Sequence, residues 1–255
     1  MSEWVTRTWV GSVCVLTLND PEQMNRFSPD LRNELISAFG ALGEMPECRA
    51  IVLAGAGAHF SSGGDIKSFQ ETDVMSARAR LRKGSGPLAR LIAAGPKPVV
   101  AAVQGNCYGA GLSLAAASDY VVVDSSAKFC AAFIRLGLIP DNGLLWSLPR
   151  RVGHARAKRL MALAPVLDAS QALQIGLADE SVDAGQALSR ATEVATKFAA
   201  GAPVAMALLK SAMSEGLEDV LRAEADLQPM LMTSDDHSEA KQAFFEKRPA
   251  RYAGR

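Results

Sequence analysis

The sequence predicts an α/β fold in which parallel strands are covered by helices. Three observations predict it. Segments of strand and helix character alternate through the first half of the chain. The strand segments at residues 50–54, 98–103 and 120–123 are continuously apolar rather than alternating, the pattern of strands buried on both faces by crossover helices. The last quarter carries helical periodicity and forms a helical appendage. At 255 residues with 49% hydrophobic side chains, the chain can bury one large core with such an appendage.

In order along the chain, residues 13–19 read as a strand, with Val13, Val15 and Leu16 apolar and Thr17 β-branched. Asn19, Asp20 and Pro21 end it as a turn. Ser28-Pro29-Asp30 opens a helix: Ser28 suits the N-cap, Pro29 the first helical position and Asp30 the positive end of the dipole. Leu31, Leu35, Ala38, Phe39 and Leu42 give that helix one apolar face. Residues 55–64 form a loop rich in small residues, and residues 76–94 are expected as one helix stopped by Gly95-Pro96. The strand at 98–103 runs into Gly105, Gly109 and Gly111, and a small-residue helix follows to about Ser118. Asp168-Ala169-Ser170-Gln171 has the form of an N-cap with a glutamine three residues on. Helical patterns then cover residues 184–200, 203–214, 217–232 and 236–246. The tail, 247–255, is basic and is expected to be mobile or to reach a neighbouring subunit.

Charge and cysteine usage exclude several functions. Acids and bases balance at 27 each, so no broad field attracts nucleic acid or an anionic membrane. Residues 1–10 show no secretory signal, and the apolar runs are too short to span a bilayer. Cys14, Cys48, Cys107 and Cys130 are scattered without metal-ligand spacing, and read as reduced, mostly buried thiols of a cytoplasmic protein. His59, His154 and His237 lie far apart in sequence, so no metal site is expected. His59 is expected to face solvent.

Two segments have residue types suited to chemistry. The first is His59-Phe60-Ser61-Ser62-Gly63-Gly64-Asp65-Ile66, where two serines and two glycines let the backbone approach a ligand and aim an N–H at it. Its plainer reading is a tight turn with Asp65 capping a helix. The second is Val103-Gln104-Gly105-Asn106-Cys107-Tyr108-Gly109-Ala110-Gly111-Leu112-Ser113. There a buried strand runs into glycines that open a helix, so free N–H groups and the positive dipole end face a developing anion. Its plainer reading is close packing allowed by small residues. The spacing differs from the dinucleotide fingerprint, and the acid that would hold a ribose is missing.

Together, at this separation and in this order, the two segments resemble the crotonase (enoyl-CoA hydratase/isomerase) superfamily. Further matches are Asn19-Asp20-Pro21-Glu22, Lys97-Pro98, Ala127-Lys128-Phe129, Gly137-Leu138-Ile139-Pro140 and Phe244-Phe245-Glu246-Lys247-Arg248, so the resemblance spans essentially the whole chain. It implies a spiral core of ββα turns over residues 1–195, and a helical region over 196–255 that builds a homotrimer or a hexamer. It implies an acyl-CoA thioester as substrate, coenzyme A being part of that substrate, with no separate cofactor. The backbone N–H groups of Gly64 and Ala110 match the superfamily's oxyanion hole. Two fixed donors aimed at a thioester oxygen favour the enolate, and losing one such donor typically costs ~3 kcal/mol of barrier. Coenzyme A is expected along Gln23, Met24, Ser62, Asp65 and Ile66, with Phe244 and Lys247 contacting it from the C-terminal region. The acyl pocket is expected to be lined by Ser113, Phe133 and Trp146, with its shape depending on residues 68–94.

The sequence departs from a hydratase. A hydratase adds water with two glutamates, and the matching positions here are Ser113 and Phe133. One acid remains in a suggestive place, Asp141 in Ile139-Pro140-Asp141-Asn142-Gly143, where hydratases generally carry glycine. Superfamily branches with aspartate there use it as an acid/base or as a nucleophile. The stretch Leu136-Gly137-Leu138-Ile139-Pro140-Asp141, with Leu148-Pro149-Arg150 after it, looks most like the ring-opening isomerase of phenylacetate breakdown. Pro-Asp-Asn-Gly is also an ideal turn sequence, in which the aspartate bonds its own backbone. The expected activity is therefore an enoyl-CoA isomerase with Asp141 as acid/base. The alternatives are a hydratase-like protein lacking both glutamates, an aspartate-nucleophile acyl-CoA hydrolytic enzyme, and a non-catalytic acyl-CoA binder. RNA binding through a lysine-rich first helix is disfavoured, since the helix from Asp30 carries Arg32 and no lysine.

Overall fold

The computed structural model describes residues 3–68 and 73–255. Residues 69–72, part of the stretch expected to shape the acyl pocket, lie outside them. The described residues form a six-stranded sheet, from β1 (Val5–Val10) through β2 (Val13–Leu18), β3 (Ala50–Gly55), β4 (Val99–Val103) and β6 (Tyr120–Asp124) to β9 (Glu180–Val182). β1 pairs antiparallel with β2, and every later pairing in this sheet is parallel, as the continuously apolar strands require. β1 was not expected: it is an edge strand in which only Val5 is buried, so it has no apolar run to read.

The period-2 geometry of the strands divides the core. Cys14, Leu16 and Leu18 face one side with Ile51, Leu53, Val99, Ala101 and Val103. Val13 and Val15 face the other with Val52, Val100 and Val122, and are covered by α8 (Ala187–Ala199). The first helix is α1 (Pro29–Glu44), and its start is as expected. Ser28 is extended, its hydroxyl accepts from the Leu31 N–H, and Leu31, Leu35, Ala38, Phe39 and Leu42 are all buried. The single helix expected over 76–94 is two, α2 (Val74–Lys83) and α3 (Ser85–Ala93), meeting at Gly84. The Arg32 guanidinium of α1 lies against this junction, where a Cβ on Gly84 would stand 2.6 Å from it.

A smaller sheet carries the second glycine segment. β5 (Asn106–Tyr108) pairs parallel with β7 (Lys128–Cys130), which pairs antiparallel with β8 (Leu167–Asp168). From β5 the chain enters α4 (Ala110–Ala117), a helix buried all round. α5 (Leu144–Val152) and α6 (His154–Leu163) follow, unanticipated because Pro149 and Gly153 interrupt their pattern. α7 (Ala169–Gln174) opens with the expected capping box between Asp168 and Gln171. The C-terminal helices are α9 (Pro203–Met213), α10 (Leu217–Met232) and α11 (Asp235–Glu246). α9 is anchored by the buried Lys210, whose ammonium donates to the Ile92 carbonyl at 2.8 Å and pairs with Asp119.

The basic tail departs from expectation. It folds back on α11: Arg248 pairs with Glu239, the Asp236 carboxylate accepts from the Ala253 and Gly254 N–H groups, and the Tyr252 hydroxyl donates to the Arg135 carbonyl. All four cysteines are buried free thiols. Among the described residues no helix is long and apolar enough to cross a membrane, and no cluster of His, Cys, Asp and Glu could hold a metal ion.

Candidate active site

The two glycine segments pack directly on each other. The Ser61 N–H donates to the Asn106 carbonyl at 2.9 Å, and the Tyr108 N–H to the Ser61 carbonyl at 3.0 Å. Gly63 (φ +97°) leaves no room for a side chain, since a Cβ there would stand 2.9 Å from the Tyr108 carbonyl oxygen. Gly109 (φ +49°) turns the chain from β5 into α4, and a Cβ on it would lie 4.0 Å from the Gly64 nitrogen. The fold thus brings Gly64 beside the N-terminus of α4, where Ala110 is the first helical residue. Among the described residues neither the Gly64 nor the Ala110 N–H donates to a backbone acceptor, and both residues line one cavity. Two such donors beside the positive end of a helix are suited to stabilise an anion.

That cavity has a volume of about 320 Å³, and its walls include Phe27, Tyr108, Phe133, Leu136, Leu138 and Phe244. Asp141 is the carboxylate that lines it among the described residues. Burial raises the Asp141 carboxyl above the ordinary aspartate range, opposed by the Asn142 amide, the charges of Arg80 and Arg32, and Gln228. The Asn142 amide donates to Asp141 Oδ1 at 2.6 Å. A carboxyl raised by exclusion of water and lining this cavity is suited to exchange protons with a bound molecule.

The other expected residues fall into three groups. Phe133, Ser62, Ile66 and Phe244 line the cavity together with the two donors. Gln23, Met24 and Asp65 border it: the Ser62 N–H donates to the Met24 carbonyl at 2.8 Å, and Arg26 lies 3.8 Å from Asp65. Asp65 shapes its own loop by accepting from the Lys67 N–H. Lys247 is the left-handed residue that ends α11 and does not line the cavity.

Two acyl-pocket expectations require correction. Ser113 is fully buried beneath the cavity, and its hydroxyl donates to the Asp141 carbonyl at 2.9 Å and the Gly109 carbonyl at 3.3 Å. It braces the Asp141 turn from α4. Trp146 is buried in the core and does not line the cavity; its indole N–H donates to the Glu215 carbonyl at 3.0 Å, and the Arg150 guanidinium lies 4.3 Å over its ring. His59 is also not a solvent-facing residue. It is half-buried, and its Nδ1 accepts from the Asn106 N–H at 3.1 Å, tying the two segments together.

Sequence reasoning missed Glu224 and Gln228, both buried on α10. The Glu224 carboxyl accepts from the Gly143 N–H at 2.9 Å and the Leu145 N–H at 3.3 Å. Burial, then the nearby Asp141 charge, push Glu224 up to about 8. The Gln228 amide donates to the Ile139 carbonyl at 2.8 Å and accepts from the Ile139 N–H at 3.1 Å. The available signal was a polar pair four residues apart within the apolar stripe of Leu217, Leu221, Ala225 and Met232. Asn25 was missed as well. It is fully buried, and its amide donates to the Ala56 and His59 carbonyls, fixing the turn after Met24 to the first glycine segment.

The comparisons with known proteins agree with this geometry. The enoyl-CoA hydratase/isomerase family pattern matches residues 9–255. A probable enoyl-CoA hydratase of Rhodobacter capsulatus is 40% identical over 248 residues, 95% of either chain. The 1,2-epoxyphenylacetyl-CoA isomerase of Escherichia coli is 34% identical over 263 residues, the whole of both chains. The crystal structure of an enoyl-CoA hydratase from Mycobacterium avium subsp. paratuberculosis superposes with a TM-score of 0.87 at 30% identity, covering 98% of this chain and 99% of that one. Relatives in both reaction classes thus share the full length of the chain and its crotonase-type fold, and the chain belongs to the enoyl-CoA hydratase/isomerase family.

Proposed function

We propose that the protein is an enoyl-CoA isomerase that moves a double bond by proton transfer through one carboxyl group, that of Asp141. The observation that carries this reading is the single cavity lined by Asp141 and by the Gly64 and Ala110 donors. The Asp141 carboxylate removes a proton from the carbon α or γ to the thioester. The electron pair moves onto the thioester oxygen, where the two N–H groups hold the enolate. The protonated Asp141 then returns a proton to the other carbon, leaving the double bond shifted and the carboxylate restored. No external oxidant, reductant or cofactor enters this balance.

Water addition would call for a second proton-transferring group on the cavity wall. Neither position that matches a hydratase glutamate supplies a second carboxyl: one is Ser113 and the other is Phe133, and Asp141 is the carboxylate lining the cavity among the described residues. The coenzyme A moiety would pass Ser62 and Ile66 towards the Gln23–Met24 turn and Phe244. We also infer that α9 and α10 build a trimer or hexamer, because Leu208, Leu209, Met213, Leu227 and Met230 are half exposed or more.

The test is solvent deuterium incorporation into the α- or γ-carbon of an enoyl-CoA, followed by NMR. Asp141→Asn should bind the thioester normally and lose exchange by at least ~100-fold. Exchange at the wild-type rate would make Asp141 a turn residue only and sink the isomerase reading. Oxygen from labelled water appearing in Asp141 after turnover would point instead to an aspartyl ester.

A further inference from the structure

The Asp141 turn is unusually well held from one side. Ser113 on α4 grips its carbonyl, but the larger set of contacts comes from α10, a helix beginning more than seventy residues later. Glu224 and Gln228 are spaced four residues apart, so both point from one face of α10 towards the same turn. Gln228 bonds both backbone groups of Ile139, two residues before Asp141. Glu224 takes the N–H groups of Gly143 and Leu145, two and four residues after it. The two side chains thus fix the backbone on either side of Asp141, and Gln228 also favours the ionised Asp141 carboxyl. Both are buried, Glu224 at 3% and Gln228 at 0% exposure, a costly arrangement for a carboxyl group unless its bonds matter.

We propose that Glu224 and Gln228 form a brace on α10 that positions the Asp141 carboxyl for proton transfer. The proposal rests on the acid/base role of Asp141. Both are positioning residues: Glu224 does not line the cavity, and Gln228, whose side chain reaches the cavity wall, acts through the Ile139 backbone and the Asp141 carboxyl. A brace of this kind limits the swing of a carboxyl at the end of a turn, and a displacement on the order of 1 Å costs up to about 100-fold in rate.

The electrostatic surroundings of the brace are simple. On the elements packed against α10, Arg78 pairs with Asp226, Arg90 with Glu218, Arg80 bonds Met232, Arg150 bonds Glu215 and His237 bonds Leu136. Asp141 is the charge that bears on Glu224. Ionisation of Glu224 at about 8 therefore places a second negative charge beside Asp141 and makes it a stronger base.

The experiment measures deuterium exchange into trans-3-hexenoyl-CoA, as kcat and KM, together with thermal unfolding, for wild type, Asp141→Asn, Glu224→Gln and Gln228→Met. Glu224→Gln and Gln228→Met should each lower kcat by roughly 10-fold with KM within about twofold of wild type. The wild-type rate should rise through an inflection near pH 8 that Gln228→Met keeps and Glu224→Gln, which cannot ionise, lacks. Wild-type kcat in both brace variants, with Asp141→Asn inactive, would overturn the brace and leave the isomerase reading standing. Fully active Asp141→Asn would overturn both. An equal loss in kcat and in thioester affinity would show a damaged pocket rather than a misplaced carboxyl, and would also overturn it. Should Gln228→Met fail to fold, the near-isosteric Glu224→Gln decides the matter.

Discussion

Asp141 owes its chemistry to neighbours that lie far from it in sequence. Burial raises its carboxyl, the Asn142 amide and two arginines pull it back, and Ser113 holds its carbonyl. Ser113→Ala removes one hydroxyl whose partners are carbonyl oxygens able to bind water. It should slow exchange far less than Asp141→Asn, and comparing the two rates checks that order. Glu224 has a consequence for stability. Its folded value of about 8 lies above its ordinary 4.5, so the folded state keeps a proton that the unfolded chain releases. Its contribution is fully present below about pH 4.5 and is lost as pH rises through about 8. Across that window the group should lower stability by at most about 1.4 kcal/mol per pH unit. Urea unfolding of wild type at pH 5 and 8, beside Glu224→Gln, reads this directly: the variant should show the weaker fall. An equal fall in both proteins would mean that Glu224 is ionised in the folded state.

At the level of elements, the site is a junction of two loops that cannot be separated. Gly63→Ala should drive its methyl against the Tyr108 carbonyl and move Gly64 away from the start of α4. The expected result is a loss of about 100- to 1,000-fold in exchange, the size of removing one oxyanion donor, with the fold retained by circular dichroism. Local elements were legible where the signal was local. Ser28 caps α1 and Asp168 caps α7 as their residue types require. The buried strands announced themselves because parallel strands covered on both faces must be apolar throughout. The break at Gly84 was not legible, because the Arg32 side chain packed against it comes from more than fifty residues away. Trp146 was misplaced for a related reason: on α5 it packs into the core away from the cavity lining, with its indole N–H on the Glu215 carbonyl and Arg150 over its ring. Glycine-rich segments reveal where a backbone comes close to something. The direction of a side chain on a helix depends on packing that only the fold supplies.

For the whole molecule, the C-terminal helices have two faces with different work. The inner face of α10 buries Leu217, Leu221, Glu224 and Gln228 against the core, and with it the brace on Asp141. The outer face, with α9, leaves Leu208 at 65%, Leu209 at 56%, Met213 at 68% and Met230 at 62% exposure. Sequence alone could name these leucines and methionines but could not sort them, because Leu217 and Leu221 follow the same helical period as their exposed neighbours. So much exposed apolar surface on two consecutive helices favours self-association into a closed ring, the symmetric arrangement that hides every copy of it. Sedimentation at micromolar concentration should therefore show a trimer or hexamer. Leu208→Lys with Met213→Lys should shift it towards monomer, while keeping the spectrum of a folded chain, since neither side chain belongs to the core. A wild-type chain that sediments as a monomer would leave this face without a function. The coenzyme A contacts supply a second whole-molecule expectation. Ser62, Ile66 and Phe244 come from opposite ends of the chain and meet at one cavity, and the Gln23–Met24 turn adjoins it through Ser62. A surface assembled in this way should recognise the nucleotide half of the thioester as well as its acyl end. Calorimetry should then find an acyl-CoA bound at least ~10-fold more tightly than the matching acyl-pantetheine, a difference of about 1.4 kcal/mol. Equal affinity for the two would mean that the chain grips the thioester and pantetheine alone, and that the Gln23–Met24 turn only supports the first glycine segment.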